Sequence, residues 1–117
     1  MAECILIVED DVGTRHLFQR LLERAGYQVL QAGTAGEASL LLTQQPPDLI
    51  LLDLMLPETS GVEFLKFVRE TPHIHDIKVV VVTAHYRFDS PYAVEGFIQK
   101  PVTSTQLLQT IQSVLVQ

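Results

Sequence analysis

The sequence has few residues of the kinds that mark several broad classes of protein. It contains one cysteine, Cys4, so a disulfide within the chain is impossible and a reducing compartment is favoured. Eight Lys and Arg stand against fourteen Asp and Glu, a net charge of −6, which leaves little basic surface for direct binding to nucleic acid or to an anionic membrane. The longest apolar run, residues 79–84, is too short to span a bilayer, and the N-terminus lacks the basic and apolar segments of a signal peptide. These features predict a soluble, cytoplasmic protein.

What the sequence does contain is enough apolar residues for one folded domain. Apolar side chains make up 47% of the 117 residues, and there is no repeat, linker or low-complexity segment, so a single domain is predicted over 1–117. Five apolar stretches of strand length are separated by stretches with helical spacing. The predicted strands span 4–8, 27–33, 48–53, 78–84 and 96–100. The second is more polar than the others and is therefore expected near an edge of the sheet.

The stretches between the strands carry start and stop signals for helices. Apolar spacing at i, i+3, i+4 and i+7 predicts one inward helical face, formed by Phe18, Leu21, Leu22 and Ala25. Gly26 then ends that helix as a C′ glycine. Three capping boxes predict further helix starts: TAGE at 34–37, SGVE at 60–63 and TSTQ at 103–106. Strands that alternate with helices predict an α/β fold, in which a parallel sheet is covered on both faces and joined by right-handed crossovers.

Polar side chains stand where the predicted strands end. They are Glu9, Asp10 and Asp11 after the first strand, Asp53 at the end of the third, Thr83 at the end of the fourth and Lys100 at the end of the fifth. In an open parallel sheet, ligands bind outside the carboxyl ends of the strands, at the point where strand order reverses. We therefore expect these side chains to form one site at one edge of the sheet.

The residue types at this edge indicate phosphoryl transfer. Carboxylates gathered in one cleft repel one another unless a cation neutralises them, and hard oxygen ligands with room for water suit Mg²⁺. An ammonium from Lys100 and a hydroxyl from Thr83 would contact phosphoryl oxygens. Asp53 can itself act as a nucleophile and form an acyl phosphate.

Four motifs resemble those of the receiver domain of two-component response regulators. They are VEDD at 8–11, LLDLMLPETSG at 51–61, VVVTA at 80–84 and GFIQKP at 96–101, and the resemblance covers nearly the whole chain. It implies a CheY-like, flavodoxin-like fold: a doubly wound five-stranded parallel sheet of (βα)5 type. It also implies that Asp53 is the phosphoacceptor and that Lys100 contacts the phosphoryl group. Mg²⁺ would be held by Asp53, by Asp10 directly, by Glu9 through water and by the backbone carbonyl of Met55.

The resemblance also implies a conformational switch. Thr83 matches the switch hydroxyl, which the new phosphoryl group draws inward, and Phe97 matches the switch aromatic that follows it. Phe97 taken by itself is equally compatible with a place in the core. The peptide bond before Pro101 is expected to be cis, and Met55 and His85 occupy positions that influence phosphoryl lifetime in the family.

The function implied is signalling by protein contact. A histidine kinase or phosphotransfer protein would phosphorylate Asp53, and the altered surface would act on an effector protein that the sequence does not identify. The domain would be no enzyme beyond its own phosphoryl transfer and the hydrolysis of its aspartyl phosphate. One alternative is a pseudo-receiver, used as a constitutive interaction module. Another is a phosphatase of the haloacid-dehalogenase type, but Met55 stands where such enzymes carry their general acid.

The segment between Thr83 and Lys100 departs from the family pattern. It is roughly five residues shorter than a typical receiver, more than one helical turn, and Pro91 interrupts it. We predict a single turn or an irregular loop in place of the helix between the fourth and fifth strands. Its aromatic residues would form either an exposed patch for a partner or a plug for the gap: Tyr86, Phe88 and Tyr92.

Two further assignments concern polar residues near predicted loops. Asp11 is either a third metal ligand or, as we favour, the N-cap of the first helix. His73 and His75 are spaced like a metal-binding pair, but they have no Cys or further His close by in the sequence, so solvated loop histidines are predicted.

Overall fold

A computed structural model describes residues 2–84 and 90–117 of the chain. The described residues form five strands and four helices. The strands are β1 (Cys4–Val8), β2 (Gln28–Ala32), β3 (Leu49–Leu52), β4 (Lys78–Thr83) and β5 (Gly96–Gln99). The helices are α1 (Val12–Arg24), α2 (Ala35–Gln44), α3 (Gly61–Glu70) and α4 (Ser104–Leu115). Among these described helices, none has the length and apolar character needed to cross a membrane.

The strands form one parallel sheet in the order β2-β1-β3-β4-β5. This is the flavodoxin-like, doubly wound sheet that the resemblance implied, and β2 lies at an edge as its polar sequence predicted. Strand order reverses at β1, which pairs with β2 on one side and with β3 on the other. The carboxyl ends of β1 and β3 are therefore neighbours at the point where sheets of this kind bind ligands.

The sheet is covered on both faces, which explains why its central strands are continuously apolar. Leu6 and Val8 of β1 pack into a core layer with α2 and α3, and Ile5 and Ile7 pack into a second layer with α1 and α4. Every residue of β1 is buried, and complete burial of such a side chain stabilises the fold by about 1.5–3 kcal/mol. The prediction that Ala25 faces inward was wrong, because α1 ends at Arg24 and Ala25 is its exposed C-cap.

The residues predicted to cap the helices form the expected hydrogen bonds. Each helix begins after a side chain that accepts from a main-chain N–H three residues later: Asp11, Thr34, Ser60 and Thr103. Gly26 follows the C-cap of α1 with a φ of 98°, a left-handed conformation in which glycine is the least strained residue. The predicted caps are confirmed, including Asp11 at the start of α1.

The connection between β4 and β5 has no helix in its described part, Ala84 and residues 90–95. This agrees with the prediction from its length and from Pro91. Tyr92 is half-buried against the core layer of α2 and α3, and its hydroxyl donates to a Glu70 carboxylate oxygen. Tyr92 therefore folds back onto the domain, whereas Tyr86 and Phe88 lie outside the described residues.

Arg69 and Glu95 hold this connection in place. The Arg69 guanidinium donates to the Ala93 carbonyl at 3.1 and 3.3 Å, to the Ile77 carbonyl at 2.6 Å and to Glu95 Oε1 at 3.0 Å. Glu95 Oε1 also accepts from the Val79 N–H at 2.7 Å, and the Glu95 N–H donates to the Val79 carbonyl at 2.9 Å. Glu95 thus satisfies both main-chain groups of Val79 just before the β4–β5 ladder begins, and it fixes where β5 starts.

Candidate functional site

The fold brings the polar strand-end residues to one edge of the sheet. Glu9 follows β1, Asp53 follows β3, Thr83 is the last residue of β4 and Lys100 follows β5. Because β1, β3, β4 and β5 are successive neighbours in the sheet, residues far apart in the sequence become adjacent there. Glu9, Asp53 and Thr83 are the buried polar residues found in the described part of the chain.

Lys100 links two of the carboxylates. Its Nζ donates to Glu9 Oε1 at 2.6 Å and to Asp53 Oδ2 at 2.9 Å. The Lys100 side chain is 23% exposed, whereas those of Glu9 and Asp53 are 3% and 7% exposed. Removing one partner from a buried ion pair costs about 3–5 kcal/mol, because the remaining charge is left without compensation. The ammonium therefore acts as the internal counterion of the site.

Asp53 is oriented by a second contact. Its Oδ1 accepts from the Met55 N–H at 3.0 Å while Oδ2 accepts from Lys100. The main chain of Met55 thus lies beside the Asp53 carboxylate, and the Met55 side chain is 53% exposed. Asp10 and Met55 both line an open cleft of about 560 Å³, whose other lining residues are Leu54 and 56–60. Asp53 therefore lies in a fixed orientation beside a cleft that opens to solvent.

Three carboxylates at the site present oxygen atoms within 4.8 Å of one another: those of Glu9, Asp10 and Asp53. Glu9 and Asp53 are buried and Asp10 is exposed. Burial raises the pKa of Glu9 above its usual value, although the hydrogen bond from Lys100 acts in the opposite direction. One ammonium carries one positive charge against up to three negative charges. This donor set suits a hard divalent cation that keeps bound water, and Mg²⁺ fits it.

The electrostatics keep Lys100 charged. Burial disfavours its ammonium form, but the hydrogen bonds to Glu9 and Asp53 outweigh that effect and raise the pKa of Lys100 above its usual value. At neutral pH the ammonium is therefore available to pair with an anion, whether a carboxylate or a phosphoryl oxygen.

The sequence itself matches a known protein family whose members have this kind of fold and site. Residues 5–112 match the family described as "Response regulator receiver domain". The chain belongs to the response regulator receiver family. It is 33% identical to the "Polar-differentiation response regulator DivK" of Brucella ovis, over 98% of this chain and 98% of that protein.

Solved structures show the same fold. The receiver domain is similar to a response regulator receiver domain protein (CheY-like) from Methanospirillum hungatei JF-1, with a TM-score of 0.91, 29% identity and coverage of 99% of this chain and 95% of that chain. It is also similar to the signal receiver domain of a signal transduction histidine kinase from Syntrophus aciditrophicus, with a TM-score of 0.87, 28% identity and coverage of 98% and 91%. Structures like this receiver domain thus come both from response regulators and from a kinase.

The residues assigned to the switch lie on the strands next to the site. Thr83 is fully buried, and its carbonyl accepts from the Lys100 N–H at 2.8 Å. Phe97 is 40% exposed on β5, so the alternative that it is a plain core residue is wrong. The peptide bond between Lys100 and Pro101 is cis. His85 lies outside the described residues.

Asp11 does not join the acidic cluster. Its Oδ2 accepts from the Thr14 N–H at 2.8 Å and from the Thr14 hydroxyl at 2.6 Å, and these bonds lower the pKa of Asp11 below its usual value. The carboxylate is committed to capping α1, as predicted. His73 and His75 are exposed on the connection between α3 and β4, as predicted for solvated loop histidines.

Gly61, the first residue of α3, lies against the main chain that follows β3. A Cβ at this position would lie 2.5 Å from Leu54 Cα and 2.6 Å from the Asp53 carbonyl oxygen. The Gly61 N–H donates to the Leu54 carbonyl at 2.8 Å. The start of α3 therefore rests directly on the main chain of Asp53 and Leu54, and glycine allows this close approach.

One residue at the site was missed by sequence reasoning. Arg15 Nη1 donates to the main-chain carbonyl of Glu9 at 2.8 Å. In the sequence Arg15 is only a charged residue on the first turns of a predicted helix, where charged side chains normally face water. Its position four residues after the Asp11 cap is the one available signal, because it places the side chain over the preceding loop.

Proposed function

We propose that this receiver domain accepts a phosphoryl group on Asp53 from a phosphohistidine of a histidine kinase or phosphotransfer protein, in the presence of Mg²⁺. The observation that carries the proposal is the Lys100 ammonium bound to Glu9 and Asp53, which are two of the three carboxylates in the acidic cluster. Three carboxylates this close together at the edge of the sheet repel one another and destabilise the fold. A domain with a purely structural role would therefore not be expected to carry them.

The side chains present can carry out the transfer. One Asp53 oxygen forms a bond to phosphorus as the bond from phosphorus to the imidazole nitrogen breaks, and the electron pair stays on that nitrogen. Lys100 Nζ lies 2.9 Å from Asp53 Oδ2. It would therefore stabilise the negative charge that develops on the phosphoryl oxygens during the transfer. The Met55 N–H keeps the carboxylate from rotating. Later attack by water on phosphorus releases phosphate and restores the carboxylate.

Mg²⁺ would be held by Glu9, Asp10, Asp53 and the backbone carbonyl of Met55. When bound, it supplies positive charge that neutralises the acidic cluster and the phosphoryl oxygens.

Signalling would follow from a change of packing around Thr83 and Phe97. These residues lie on adjacent strands, with Thr83 opposite Gln99 and Phe97 opposite Val81 in the β4–β5 ladder. Movement of Thr83 toward a phosphoryl group would change the surroundings of Phe97, and phosphorylation would select between two packings that differ by a few kcal/mol. The effector would be a protein that recognises the altered surface, and no external substrate would be turned over.

Incubation with acetyl phosphate and Mg²⁺ should add the mass of one phosphoryl group to the intact wild-type protein. Asp53→Asn should show no increase in mass, because its amide lacks the nucleophilic oxygen pair. Intact-mass spectrometry under mild acid conditions measures both proteins.

A different result would favour the pseudo-receiver, for which the shortened β4–β5 connection is the supporting feature. If the wild type gains no mass and also fails to bind beryllofluoride, the acidic cluster is not a phosphoryl site. The same mass gain in both proteins would mean that another residue is modified and that Asp53 is not the phosphoacceptor.

Mg²⁺ alone should stabilise the folded protein. At ten times its dissociation constant, a ligand specific for the folded state raises the free energy of unfolding by about 1.4 kcal/mol, which corresponds to roughly 5 °C in Tm for a domain of this size. Differential scanning calorimetry at neutral pH, with and without millimolar Mg²⁺, measures the shift.

Asp10→Asn is the matched control for this experiment. Asp10 is exposed, so its replacement leaves the core intact while one carboxylate is lost from the cluster. We expect the Mg²⁺-dependent shift in Tm to shrink strongly in this variant. Equal shifts in variant and wild type would place the bound Mg²⁺ elsewhere.

A further inference from the structure

Arg15 is attached to the acidic loop in two ways. Its main-chain N–H donates to the Asp11 carbonyl at 2.9 Å, and its side-chain Nη1 donates to the Glu9 carbonyl at 2.8 Å. The first bond is ordinary helix geometry. The second reaches back over the N-terminus of α1 to Glu9, the residue that follows β1. The Arg15 side chain therefore spans the loop that carries the acidic residues.

The guanidinium also lies close to the end of β2. A Cβ placed on Gly33 would meet Arg15 Nη1 at 3.1 Å and Glu37 Oε1 at 3.5 Å. Glu9 is tied to the same strand, because its N–H donates to the Ala32 carbonyl at 3.0 Å. Arg15 therefore occupies a narrow space between β1, β2 and the start of α2, and a side chain on Gly33 would crowd it.

The contact bears on the site because the peptide group is planar. The Glu9 carbonyl and the Asp10 N–H belong to one peptide unit, so the bond from Arg15 fixes the direction of both. Glu9 precedes this unit and Asp10 follows it, and both contribute to the acidic cluster. The orientation of this peptide thus sets where the two carboxylates lie relative to Asp53.

We propose that Arg15 is a positioning residue for the Mg²⁺ site. It holds the Glu9–Asp10 peptide so that both carboxylates face Asp53, and it does so through main-chain geometry without touching the cation. This inference rests on the proposed function, since it presumes that the acidic cluster binds Mg²⁺.

The test compares Arg15→Met with Arg20→Met. Both variants remove one positive charge from α1, but Arg20 is exposed. Mg²⁺ affinity is measured by isothermal titration calorimetry without any phosphodonor, and stability by urea unfolding without Mg²⁺. We expect Arg15→Met to weaken Mg²⁺ binding about tenfold or more, as is typical when a partner that orients metal ligands is lost. We expect Arg20→Met to bind Mg²⁺ like the wild type.

Arg15→Lys distinguishes the effect of the positive charge from the effect of the guanidinium's hydrogen-bond geometry. It also provides the test if Arg15→Met does not fold. Lysine keeps the positive charge but is shorter and lacks the planar fork of donors. We expect its Mg²⁺ affinity to stay well below that of the wild type. Full affinity in Arg15→Lys would mean that charge and not geometry matters, and the positioning role would be overturned.

Three further outcomes distinguish a failure of the role proposed for Arg15 from a failure of the proposed function. If the wild type binds Mg²⁺, Asp10→Asn loses it and Arg15→Met keeps it, the proposed function stands and the role of Arg15 is wrong. If Arg15→Met is less stable in urea but binds Mg²⁺ normally, Arg15 only stabilises the fold, which also overturns the inference. If the wild type itself binds no Mg²⁺, the proposed site and the inference fail together.

Discussion

Gly61→Ala is expected to destabilise the protein by about 1–3 kcal/mol and to slow phosphorylation of Asp53. The new methyl group would lie 2.5 Å from Leu54 Cα and 2.6 Å from the Asp53 carbonyl oxygen. Both are main-chain atoms, which cannot rotate away as the end of a flexible side chain can. The start of α3 must therefore move away from β3, which strains the hydrogen bond from Gly61 to Leu54 and shifts the main chain around Asp53.

Gly36→Ala in α2 is the matched control. A Cβ at Gly36 would meet only the Thr34 hydroxyl, at 3.8 Å, so there is room for it. Because alanine is the better helix former, this variant should be more stable than the wild type by about 0.5–1 kcal/mol. Urea unfolding gives both values, and the rate of labelling by acetyl phosphate gives the functional effect. Opposite signs for the two substitutions are expected. A Gly61→Ala protein as stable as the wild type would show that α3 does not rest on Asp53 and Leu54.

Glu95→Leu is expected to lower the free energy of unfolding by about 2–3 kcal/mol. The substitution removes the acceptor for the Val79 N–H and the ion-pair partner of Arg69, whose side chain is only 11% exposed. The N–H of buried Val79 and the largely buried Arg69 guanidinium would then lack that acceptor. Since Glu95 directly precedes β5, the variant should also place Lys100 less accurately and label more slowly with acetyl phosphate.

Two comparisons isolate the contribution of this contact. Glu95→Gln keeps an acceptor oxygen for Val79 and should lose less stability than Glu95→Leu, whereas Glu23→Leu on the exposed side of α1 should change stability little. A double-mutant cycle with Arg69→Met measures the coupling between Arg69 and Glu95 directly. If Glu95→Leu and Glu23→Leu have the same stability, the Arg69–Glu95 contact does not hold the β4–β5 connection.

Local features of the sequence were sufficient for most of the secondary structure and for the location of the site. Continuous apolar runs predicted strands buried on both faces, since a parallel sheet with helices on each side leaves no wet face. Cap residues predicted helix starts because the side-chain oxygen of Ser, Thr or Asp can accept a hydrogen bond from the main-chain N–H three residues later. The strand-end rule then placed Glu9, Asp53, Thr83 and Lys100 at one edge. All of these signals act within a few residues of the chain or follow from the topology.

The tertiary structure alone decided which of these residues touch. Lys100 pairs with Glu9 across 91 residues and with Asp53 across 47, and no spacing in the sequence encodes either distance. The resemblance implied that Glu9 would reach a metal through water, whereas the structure also shows it as a direct partner of Lys100. No pattern in the sequence identifies the partners of Arg15 and Arg69, yet each donates to main-chain carbonyls. Periodicity reports which face of an element is buried, but the partner of a long, flexible charged side chain depends on what the fold brings within its reach.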